Sequence, residues 1–434
     1  MASSSRNNTI WARIAIGAFI AELLLFTYLR GVAGPLVSPI LYFSTSLLLT
    51  FSAWYALRGQ PYAWAKPLNT IGSGSGWSWV LVAAVLLAAF YPRLQEILHQ
   101  YPVDIKASDV LPVIEVYVRR FQNGEKVYAL ITEFDYDLSA GYLPLMWMPF
   151  LAPDALNIDY RWVGFWVFAI GILVYAHRLG TLRTPFYEKA FQMSLPILIL
   201  LPLLGSDTHI IGLSIESLVI GYYFVLAAGI FSKSPGLRAA GLVMCLLSRF
   251  AFVFWVPFYL WLIYRHESKG AALRVAGLTI LGLLGIYVVP FLSSDWTMFS
   301  QGQSYYTASA LAEWQYNLNS QGNPAQLFTG LGLAIFFFKY GTGELIDRVN
   351  LLRAVHAVAS ILSVGGVALW YWLRRSSLSV DYRYVALLSL KLNLTIFYAF
   401  IQVPYDNLLL LVPFLSVWIL LGLRDSVWRL PHSA

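Results

Sequence analysis

The sequence predicts an all-α polytopic membrane protein in which residues 1–434 form a single domain of transmembrane helices. Hydrophobic residues make up 59% of the chain and charged residues only 12%, whereas soluble domains average about 45–50% and about 25%. The mean hydropathy is +0.65. Several apolar stretches also reach the length of about 17–20 residues that crosses a hydrocarbon core about 30 Å thick. Composition and stretch length therefore both indicate a membrane-embedded bundle.

The apolar stretches predict about 11–13 spans. The five longest cover residues 11–28, 36–57, 271–292, 352–372 and 408–423. Seven shorter stretches cover residues 77–91, 160–175, 191–204, 210–230, 237–254, 255–264 and 385–403. Residues 326–340 are apolar but short, so we expect a tilted or re-entrant element there instead of a full crossing.

The distribution of lysine and arginine predicts the topology, because short loops rich in these residues stay in the cytoplasm. With both termini cytoplasmic, that side collects Arg6, Arg58, Lys66, Arg178, Arg183, Lys189, Lys233, Arg238, Arg265, Lys269, Arg374, Arg375, Arg383, Arg424 and Arg429. Three segments then lie on the exoplasmic side, namely residues 92–141, residues 293–324 and the turn at 402–407. We expect an integral multi-pass protein of the bacterial inner membrane, or of the endoplasmic reticulum in a eukaryote.

The net charge of +7 fits this cytoplasmic bias and an affinity for anionic lipid headgroups, so no nucleic-acid partner is indicated. Cys245 is the only cysteine, which excludes an intramolecular disulfide. The apolar N-terminal stretch has no clear cleavage site and is interpreted as a retained signal anchor. The glycine-serine run at 71–76 lacks the lysine of a phosphate-binding loop and predicts a cytoplasmic connector.

The first outer segment, residues 92–141, is rich in acids and contains an amphipathic pattern. Apolar residues recur at helical spacing at Val110, Val113, Ile114, Tyr117, Val118 and Phe121. This stripe predicts a helix lying flat in the membrane interface, with the apolar face towards lipid and Arg119 and Arg120 pointing outwards. Pro112 falls in its first turn, where proline is tolerated. Asp109 is then held at the membrane surface, at the start of this helix.

Two roles are open to Asp109. An aspartate before an amphipathic run is a favoured N-cap, worth about 1 kcal/mol through its bond to a free N–H group. A carboxylate held at a membrane surface is also suited to act as a general base on a lipid-linked substrate. The two roles are compatible.

A family resemblance favours the second role. Ser108-Asp109, Tyr117, Gly124 with Tyr128, and Tyr142-Leu-Pro-Leu follow one another in this region. Together they resemble the opening pattern of the GT-C class of integral-membrane glycosyltransferases, most closely the polyprenol-phosphate-mannose-dependent mannosyltransferases. Tyr-Leu-Pro-Leu stands here in place of that branch's Tyr-Pro-Pro-Leu. Weaker similarities follow in order at residues 205–209, Arg249 and residues 405–409.

The resemblance implies a GT-C-like transmembrane bundle whose exoplasmic loops carry interfacial helices. It also implies transfer of a sugar, mannose or another hexose or pentose, from a polyprenyl-phosphate donor to a lipid-linked or surface glycan acceptor on the exoplasmic face. Asp109 falls on the position of the proposed base. No cofactor is expected. A divalent cation stays open, since Asp207 and His209 supply two ligands and a metal site needs more.

Further binding residues are predicted around Asp109. Arg249, with Arg119 and Arg120 as alternatives, is expected to bind the donor phosphate through paired N–H groups, unless Arg249 pairs with Glu216 or Asp207. Substrate contacts are expected from Tyr142, Asp207, His209, Trp314, Gln315, Gln402 and Tyr405. The aromatic rings and amides of the second outer segment are suited to stack on a sugar and to form hydrogen bonds with it. The alternative is that these rings form an ordinary aromatic belt at the membrane interface. Glu22, Lys391 and Asn393 within spans are either functional or join helices together.

Two other classes remain as alternatives. A secondary transporter places its polar site near the bilayer midplane, usually between internal repeats, whereas here the polar residues concentrate in outer segments and no repeat is evident. A membrane polysaccharide ligase or polymerase is closer in chemistry, but its outer loop is expected to carry catalytic arginines and a histidine instead of an early aspartate.

Overall fold

A computed structural model describes residues 2–30, 32–58, 75–134, 137–138, 141–182, 184–374 and 380–423. Within these ranges the chain is helical and forms no β-strand, apart from isolated bridges at Ile131–Leu138 and Leu318–Pro324. The helices are α1 (Ala2–Thr27), α2 (Gly34–Leu57), α3 (Ser75–Ala89), α4 (Tyr91–Gln100), α5 (Val110–Gln122), α6 (Pro144–Trp147), α7 (Leu151–Ala155), α8 (Arg161–Gly180), α9 (Phe186–Gly205), α10 (Thr208–Leu213), α11 (Glu216–Ile230), α12 (Pro235–Leu246), α13 (Trp255–His266), α14 (Lys269–Leu283), α15 (Met298–Gln315), α16 (Ala325–Thr329), α17 (Ala334–Tyr340), α18 (Leu345–Arg374), α19 (Tyr382–Ala399), α20 (Asp406–Leu409) and α21 (Leu411–Gly422).

Long apolar helices dominate this architecture. Seven helical segments of the described chain are long and apolar enough to cross a membrane: Asn8–Thr27, Gly34–Leu57, Gly76–Gln100, Arg161–Gly180, Phe186–Gly205, Lys269–Val288 and Leu345–Arg374. Shorter apolar helices cover Glu216–Ile230, Pro235–Leu246 and Asp406–Gly422. The predicted all-helical class is therefore confirmed, and the seven segments are compatible with the predicted multi-pass membrane protein.

The spans bring the connecting segments to two ends of the bundle. At the end that we call the cavity end, residues 101–134, 141–160, 206–215, 289–344 and 400–407 meet, as in the contact of Lys126 with Asp295 (2.8 Å). At the opposite end, Arg238 donates to Glu267 at 2.8 Å. The predicted cytoplasmic cations lie at this opposite end, except those outside the described residues: Lys66, Arg183, Arg375, Arg424, Arg429 and the side chain of Arg6. Residues 71–74 of the predicted connector also lie outside them.

A buried ion pair ties the first helices to the last ones. Lys391 on α19 donates to Glu22 on α1 at 2.9 Å and to Ser46 on α2 at 2.7 Å. Ser416 on α21 donates to the second oxygen of Glu22 at 3.3 Å. Both charged side chains are 0% exposed, so removing one would leave an uncompensated buried charge. Of the two roles open to Glu22 and Lys391, this geometry fits the joining of helices.

Helices α8 and α11 approach closely through glycines. A Cβ atom placed on Gly221 would lie 2.7 Å from the backbone of Val167, and one on Gly171 would lie 2.8 Å from the Cβ of Phe224. Small residues permit such close packing between membrane helices, where van der Waals contact replaces the hydrophobic effect as the driving force. This contact sets the position of Glu216, the first residue of α11.

Several predicted spans differ from the structure near the cavity end. The predicted span at 210–230 is divided, because α10 ends at Leu213 and α11 begins at Glu216. Helices α12 and α13 have 12 residues each and are therefore about 18 Å long, too short for a full crossing. The turn between them lies deep in the bundle, where Asn393 donates to the Ala251 carbonyl at 3.2 Å. The result is a recess below the cavity end.

The outer segments also contain more helix than predicted. The helix that begins at Ser75 continues, with a break at Phe90, to Gln100, so the first outer segment starts near residue 101 instead of 92. The second, predicted as a loop at 293–324, contains the 18-residue helix α15. Residues 326–340 form the short helices α16 and α17, and the Leu333 N–H donates to the Ala399 carbonyl at the cavity end. The expectation that this segment does not cross is confirmed.

Candidate functional site

Helix α5 carries Asp109 directly before its first residue. As predicted, the helix starts after Asp109 and has Pro112 in its first turn. The helix begins at Val110, directly after Asp109, and ends in a turn at Gly124, which has a φ of 69°. There the Glu125 N–H donates to the Arg120 carbonyl at 2.8 Å, as in the Schellman motif. The predicted contact of its stripe with lipid is wrong: Ile114 and Tyr117 are fully buried, because the stripe packs on the protein.

The tyrosines of the family-like pattern meet in one aromatic cluster. The Tyr117 ring lies 5.5 Å from that of Tyr128, 6.1 Å from that of Tyr142 and 5.8 Å from that of Trp147. The Tyr142 N–H donates to the Tyr117 hydroxyl at 3.0 Å, and the Trp147 indole donates to the Tyr128 hydroxyl at 3.2 Å. These contacts fix α5, and so Asp109, on the bundle. Tyr142 also lines the cavity described next.

A cavity of about 820 Å³ opens at the cavity end, above the recess formed by the short helices. Helix α5, the turn after α12, helix α15 and the turn before α20 contribute to its walls. Its charged and aromatic lining residues are Asp109, Tyr142, His209, Glu216, Arg249, Phe250, Tyr306, Glu313, Phe397, Tyr398, Tyr405 and Asp406. The fold thus gathers at one point residues that are far apart in the sequence.

Asp109 lines this cavity and does not cap α5 with its side chain. The first N–H of the helix is bonded instead by the preceding residue, Ser108, whose hydroxyl accepts the Val110 N–H at 3.3 Å and donates to the Leu213 carbonyl at 3.1 Å. Burial, with a smaller contribution from the charge of Glu313, raises the pKa of Asp109 above its ordinary value. A carboxylate with a raised pKa in a cavity has the properties of a general base.

Arg249 forms a bidentate ion pair with Glu216 inside the cavity. One guanidinium nitrogen donates to Glu216 Oε2 at 2.8 Å and the other to Oε1, which also accepts the Asn407 amide at 2.9 Å. This is the ion pair with Glu216 that was the alternative to phosphate binding. The side chain of Glu216 is only 2% exposed, so the pair holds a charge that would otherwise be buried alone.

A chain of charged groups runs along the rim, and its centre is Arg30, which the sequence reasoning missed. Arg30 donates to Asp406 at 2.5 Å and to Asp207 at 3.4 Å. His209 Nε2 lies 3.4 Å from Asp406, and this hydrogen bond raises the pKa of the imidazole. Burial raises the pKa of Asp207. Arg30 could have been recognised in the sequence, because it follows the first predicted span on the predicted exoplasmic side, where arginine is rare.

Helix α15 supplies a second acid, Glu313, which was also missed. Glu313 accepts a hydrogen bond from the Tyr405 hydroxyl at 3.3 Å and one from the Asn317 amide at 2.7 Å. The nearby charges of Glu313 and Asp109, after burial, raise the pKa of Tyr405. Tyr306 and Glu313 line the cavity together because residues seven apart lie on one helix face. The separation of seven residues between Tyr306 and Glu313 could have identified Glu313 in the sequence.

Several predicted binding residues lie outside the cavity lining. The Trp314 indole is buried and donates to the Gln402 carbonyl at 2.9 Å, while Gln315 is exposed. Asp207 is bound by Arg30 and does not line the cavity. Trp314 and Gln315 differ from the prediction because α15 turns Glu313, and not its neighbours, towards the cavity.

The two basic residues of α5 are likewise engaged elsewhere. Arg119 and Arg120 bind Glu133 at 3.0 and 3.1 Å. Arg120 also donates to the Ala129 and Leu130 carbonyls at 2.7 and 3.0 Å. With a side chain only 8% exposed, Arg120 points into the protein and not outwards as predicted. Neither arginine lines the cavity.

No group of three or more His, Cys, Asp or Glu side chains with the geometry of a metal site occurs among the described residues. No protein family matches the chain, and neither a curated protein nor a solved structure is significantly similar to it.

Proposed function

We propose that the protein is a GT-C-like glycosyltransferase that moves a hexose or pentose from a polyprenyl-phosphate donor to a hydroxyl of a glycan or glycolipid acceptor. The observation that supports this most is Asp109, a carboxylate with a raised pKa that lines an 820 Å³ cavity at one end of a membrane bundle. A donor anchored in the bilayer can reach such a cavity without leaving the membrane. In this proposal the cavity end is exoplasmic.

In the proposed step, the acceptor oxygen forms a bond to the anomeric carbon of the sugar while the bond from that carbon to the phosphate oxygen breaks. Asp109 takes the acceptor's proton, and the electron pair of the broken bond leaves with polyprenyl phosphate. The transition state carries positive charge on the sugar ring, as in glycoside hydrolysis. The acidic side chain of Glu313, which also lines the cavity, would stabilise that charge. No second proton donor is needed, because a phosphate leaves as an anion.

The donor phosphate needs cationic partners, and the cavity offers Arg249 and His209. Hydrogen bonding to Asp406 raises the pKa of His209, which favours its cationic form. Arg249 presents a planar guanidinium suited to phosphate, although Glu216 occupies its two terminal nitrogens. We therefore propose that the phosphate contacts Arg249 by competing with Glu216.

The decisive test is sugar transfer by the purified protein in lipid nanodiscs. Polyprenyl phosphate carrying isotopically labelled mannose, then other hexoses and pentoses, is mixed with glycolipids from cells that lack the gene. Mass spectrometry should detect labelled acceptor and free polyprenyl phosphate. Absence of transfer from every donor by the folded wild-type protein would contradict the proposed function.

Asp109→Asn tests the base within this assay. The amide keeps the shape of the side chain but cannot accept a proton near neutral pH, so transfer should fall by about 10²–10⁴-fold. Asp104→Asn is the matched control, because Asp104 is an exposed acid of the same segment that does not line the cavity. Full transfer by correctly inserted Asp109→Asn would exclude Asp109 as the base.

A further inference from the structure

An apolar groove lies between α2, α18 and α19, on the side of the bundle. Its volume is about 430 Å³. The lining runs from Leu47 to Tyr55 on α2 and from Leu362 to Trp370 on α18, so the groove is about 12 Å long. Leu362 is 64% exposed, so the groove opens to the surface that faces lipid. Among the described residues, none that lines the groove also lines the cavity.

The groove is a gap that the packing of these helices leaves open. Helices α2 and α18 each pack along α19 but touch each other little. The serine and threonine residues of the lining, Thr50, Ser363 and Ser389, already donate to acceptors of the protein at 2.9, 3.1 and 2.9 Å. Since these hydroxyl groups are satisfied, the groove offers a surface for a hydrocarbon chain and not for a polar molecule.

Two tryptophans and two arginines form the mouth of the groove, at the end of the bundle opposite the cavity. The rings of Trp54 on α2 and Trp370 on α18 meet edge to face, with their centroids 4.7 Å apart. Arg58 and Arg374 follow these tryptophans by four residues each and are exposed. Because residues four apart lie on one helix face, each arginine lies about 6 Å beyond its tryptophan, on the side of the groove.

The segments around this mouth carry a surplus of positive charge. The sequence contains no Asp or Glu at residues 23–95 or 348–380, the two stretches to which the arginines belong. Asp381, the first acid after them, is bonded to Arg383 at 2.6 Å. These stretches therefore supply no carboxylate to balance the two guanidinium charges, and an anionic lipid headgroup would do so.

The Trp54 indole provides a donor one turn below Arg58. Trp54 is only 8% exposed, and its N–H has no hydrogen-bond acceptor within the part of the chain that the structure describes. A buried donor without an acceptor is costly, so a ligand oxygen at this depth would stabilise it. A glycerophospholipid carries its ester carbonyls at such a position, between the phosphate and the acyl chains.

We propose that this groove binds an anionic phospholipid, with one acyl chain in the groove, an ester carbonyl at Trp54 and the phosphate between Arg58 and Arg374. Guanidinium groups bind phosphate through paired N–H donors, and basic pockets between membrane helices bind lipid headgroups. The lipid would join α2 to α18 where the protein itself leaves a gap. The site does not depend on the proposed function.

Photolabelling of the full-length protein in nanodiscs tests the site. The two probes are a phosphatidylglycerol and a phosphatidylcholine with the same diazirine-bearing acyl chain, each diluted in unlabelled phosphatidylcholine. Peptide mapping measures the labelling of residues 47–55 and 362–370 relative to that of α14, a largely exposed apolar helix that does not line the groove. This ratio should be about tenfold or more higher for phosphatidylglycerol. An excess of glycerophosphoglycerol, the headgroup without acyl chains, should not lower it.

Arginine variants test the headgroup contact. Arg58→Gln and Arg374→Gln should each lower the preference for phosphatidylglycerol about fivefold, the contribution of one cation at a membrane surface. Arg274→Gln is the matched control, because Arg274 is an exposed arginine of α14 that does not line the groove. It should leave the preference unchanged.

A pair of adjacent glycines tests the acyl-chain contact. Gly366 lines the groove, and a Cβ placed there meets no atom within 4 Å, so Gly366→Phe can fill the groove without displacing protein atoms. It should lose most of the preference for phosphatidylglycerol. Gly365→Phe is the control, because a Cβ at Gly365 also meets no atom within 4 Å but Gly365 does not line the groove. All variants are first checked for a monodisperse gel-filtration peak.

The outcomes decide the inference without any measurement of sugar transfer. Equal labelling ratios for the two probes in the wild-type protein would overturn it, as would an unchanged preference in both arginine variants or in Gly366→Phe. Competition by glycerophosphoglycerol would show a site for a free phosphate ester and would also overturn it. Loss of the preference in the groove variants, with retention in Arg274→Gln and Gly365→Phe, supports it.

Discussion

The ion pair of Arg249 and Glu216 determines how the cavity can receive a phosphate. A buried charge that loses its partner costs about 3–5 kcal/mol, so Arg249 stays paired either with Glu216 or with an anion that replaces it. In the structure the partner is Glu216. Phosphate binding therefore requires an exchange of partners, which can be tested by removing each member of the pair.

Arg249→Gln should lose both donor binding and transfer, and it should lower the stability by about 3–5 kcal/mol because Glu216 is left unpaired. The double variant Arg249→Gln with Glu216→Gln should recover much of the melting temperature without recovering donor binding. Arg249→Lys keeps the charge but not the planar fork, and partial activity is expected. Melting curves and donor-binding assays provide the measurements.

The opposite result would assign Arg249 a structural role. Should the double variant recover transfer along with stability, Arg249 serves only to neutralise Glu216. The phosphate would then be held by other groups of the cavity, of which His209 is the cationic candidate on its lining.

At the scale of the elements, helices that are not among the seven long apolar segments carry the two acids Asp109 and Glu313, and the long helices support them. Asp109 lies at the start of the 13-residue α5, and Glu313 lies on α15. Neither helix needs to cross the membrane, so each can present a polar side to the cavity. Their positions depend on aromatic packing around Tyr117 and on the helix contacts beneath them.

The close contact of α8 and α11 should be sensitive to a single methyl group. Gly221→Ala places a Cβ 2.7 Å from the Val167 backbone, which cannot move aside like a flexible side chain, and should destabilise the protein by about 1–3 kcal/mol. Gly277→Ala on α14 is the control, because a Cβ there meets no atom within 4 Å. Its effect should be neutral, or stabilising by up to about 1 kcal/mol. Equal melting temperatures of the two variants in nanodiscs would contradict the close contact.

At the scale of the whole molecule, the two ends of the bundle should differ in their accessibility to a reagent added outside the cell. Single cysteines are introduced as Glu125→Cys and Gln321→Cys at the cavity end and Lys233→Cys at the opposite end, all in a Cys245→Ala background. The first two should react with an impermeant thiol reagent in intact cells, and Lys233→Cys only after permeabilisation, since the end opposite the cavity is expected to be cytoplasmic. The reverse labelling pattern would invert the proposed orientation.

Much of the architecture was predictable because it depends on local composition and spacing. Short stretches of sequence predict the start of α5 after Asp109 and the tolerance of Pro112 in its first turn. They also predict that the cations of the predicted cytoplasmic loops lie together at one end of the bundle. The partners within the cavity were not predictable in this way. Arg30 and Asp406 are 376 residues apart, and no local pattern relates two positions at that separation.

By itself, the sequence determined that the protein is a helical membrane bundle with an acid at the start of an amphipathic outer helix, because hydrophobicity and periodicity act over a few turns. The tertiary structure decided what those elements face. Periodicity cannot tell whether an apolar stripe such as that of Ile114 and Tyr117 packs on lipid or on protein, because both are apolar. Nor can it tell whether Arg249 meets an open cavity or Glu216, since that choice depends on where the packing of α8, α11 and α12 places the ends of short helices.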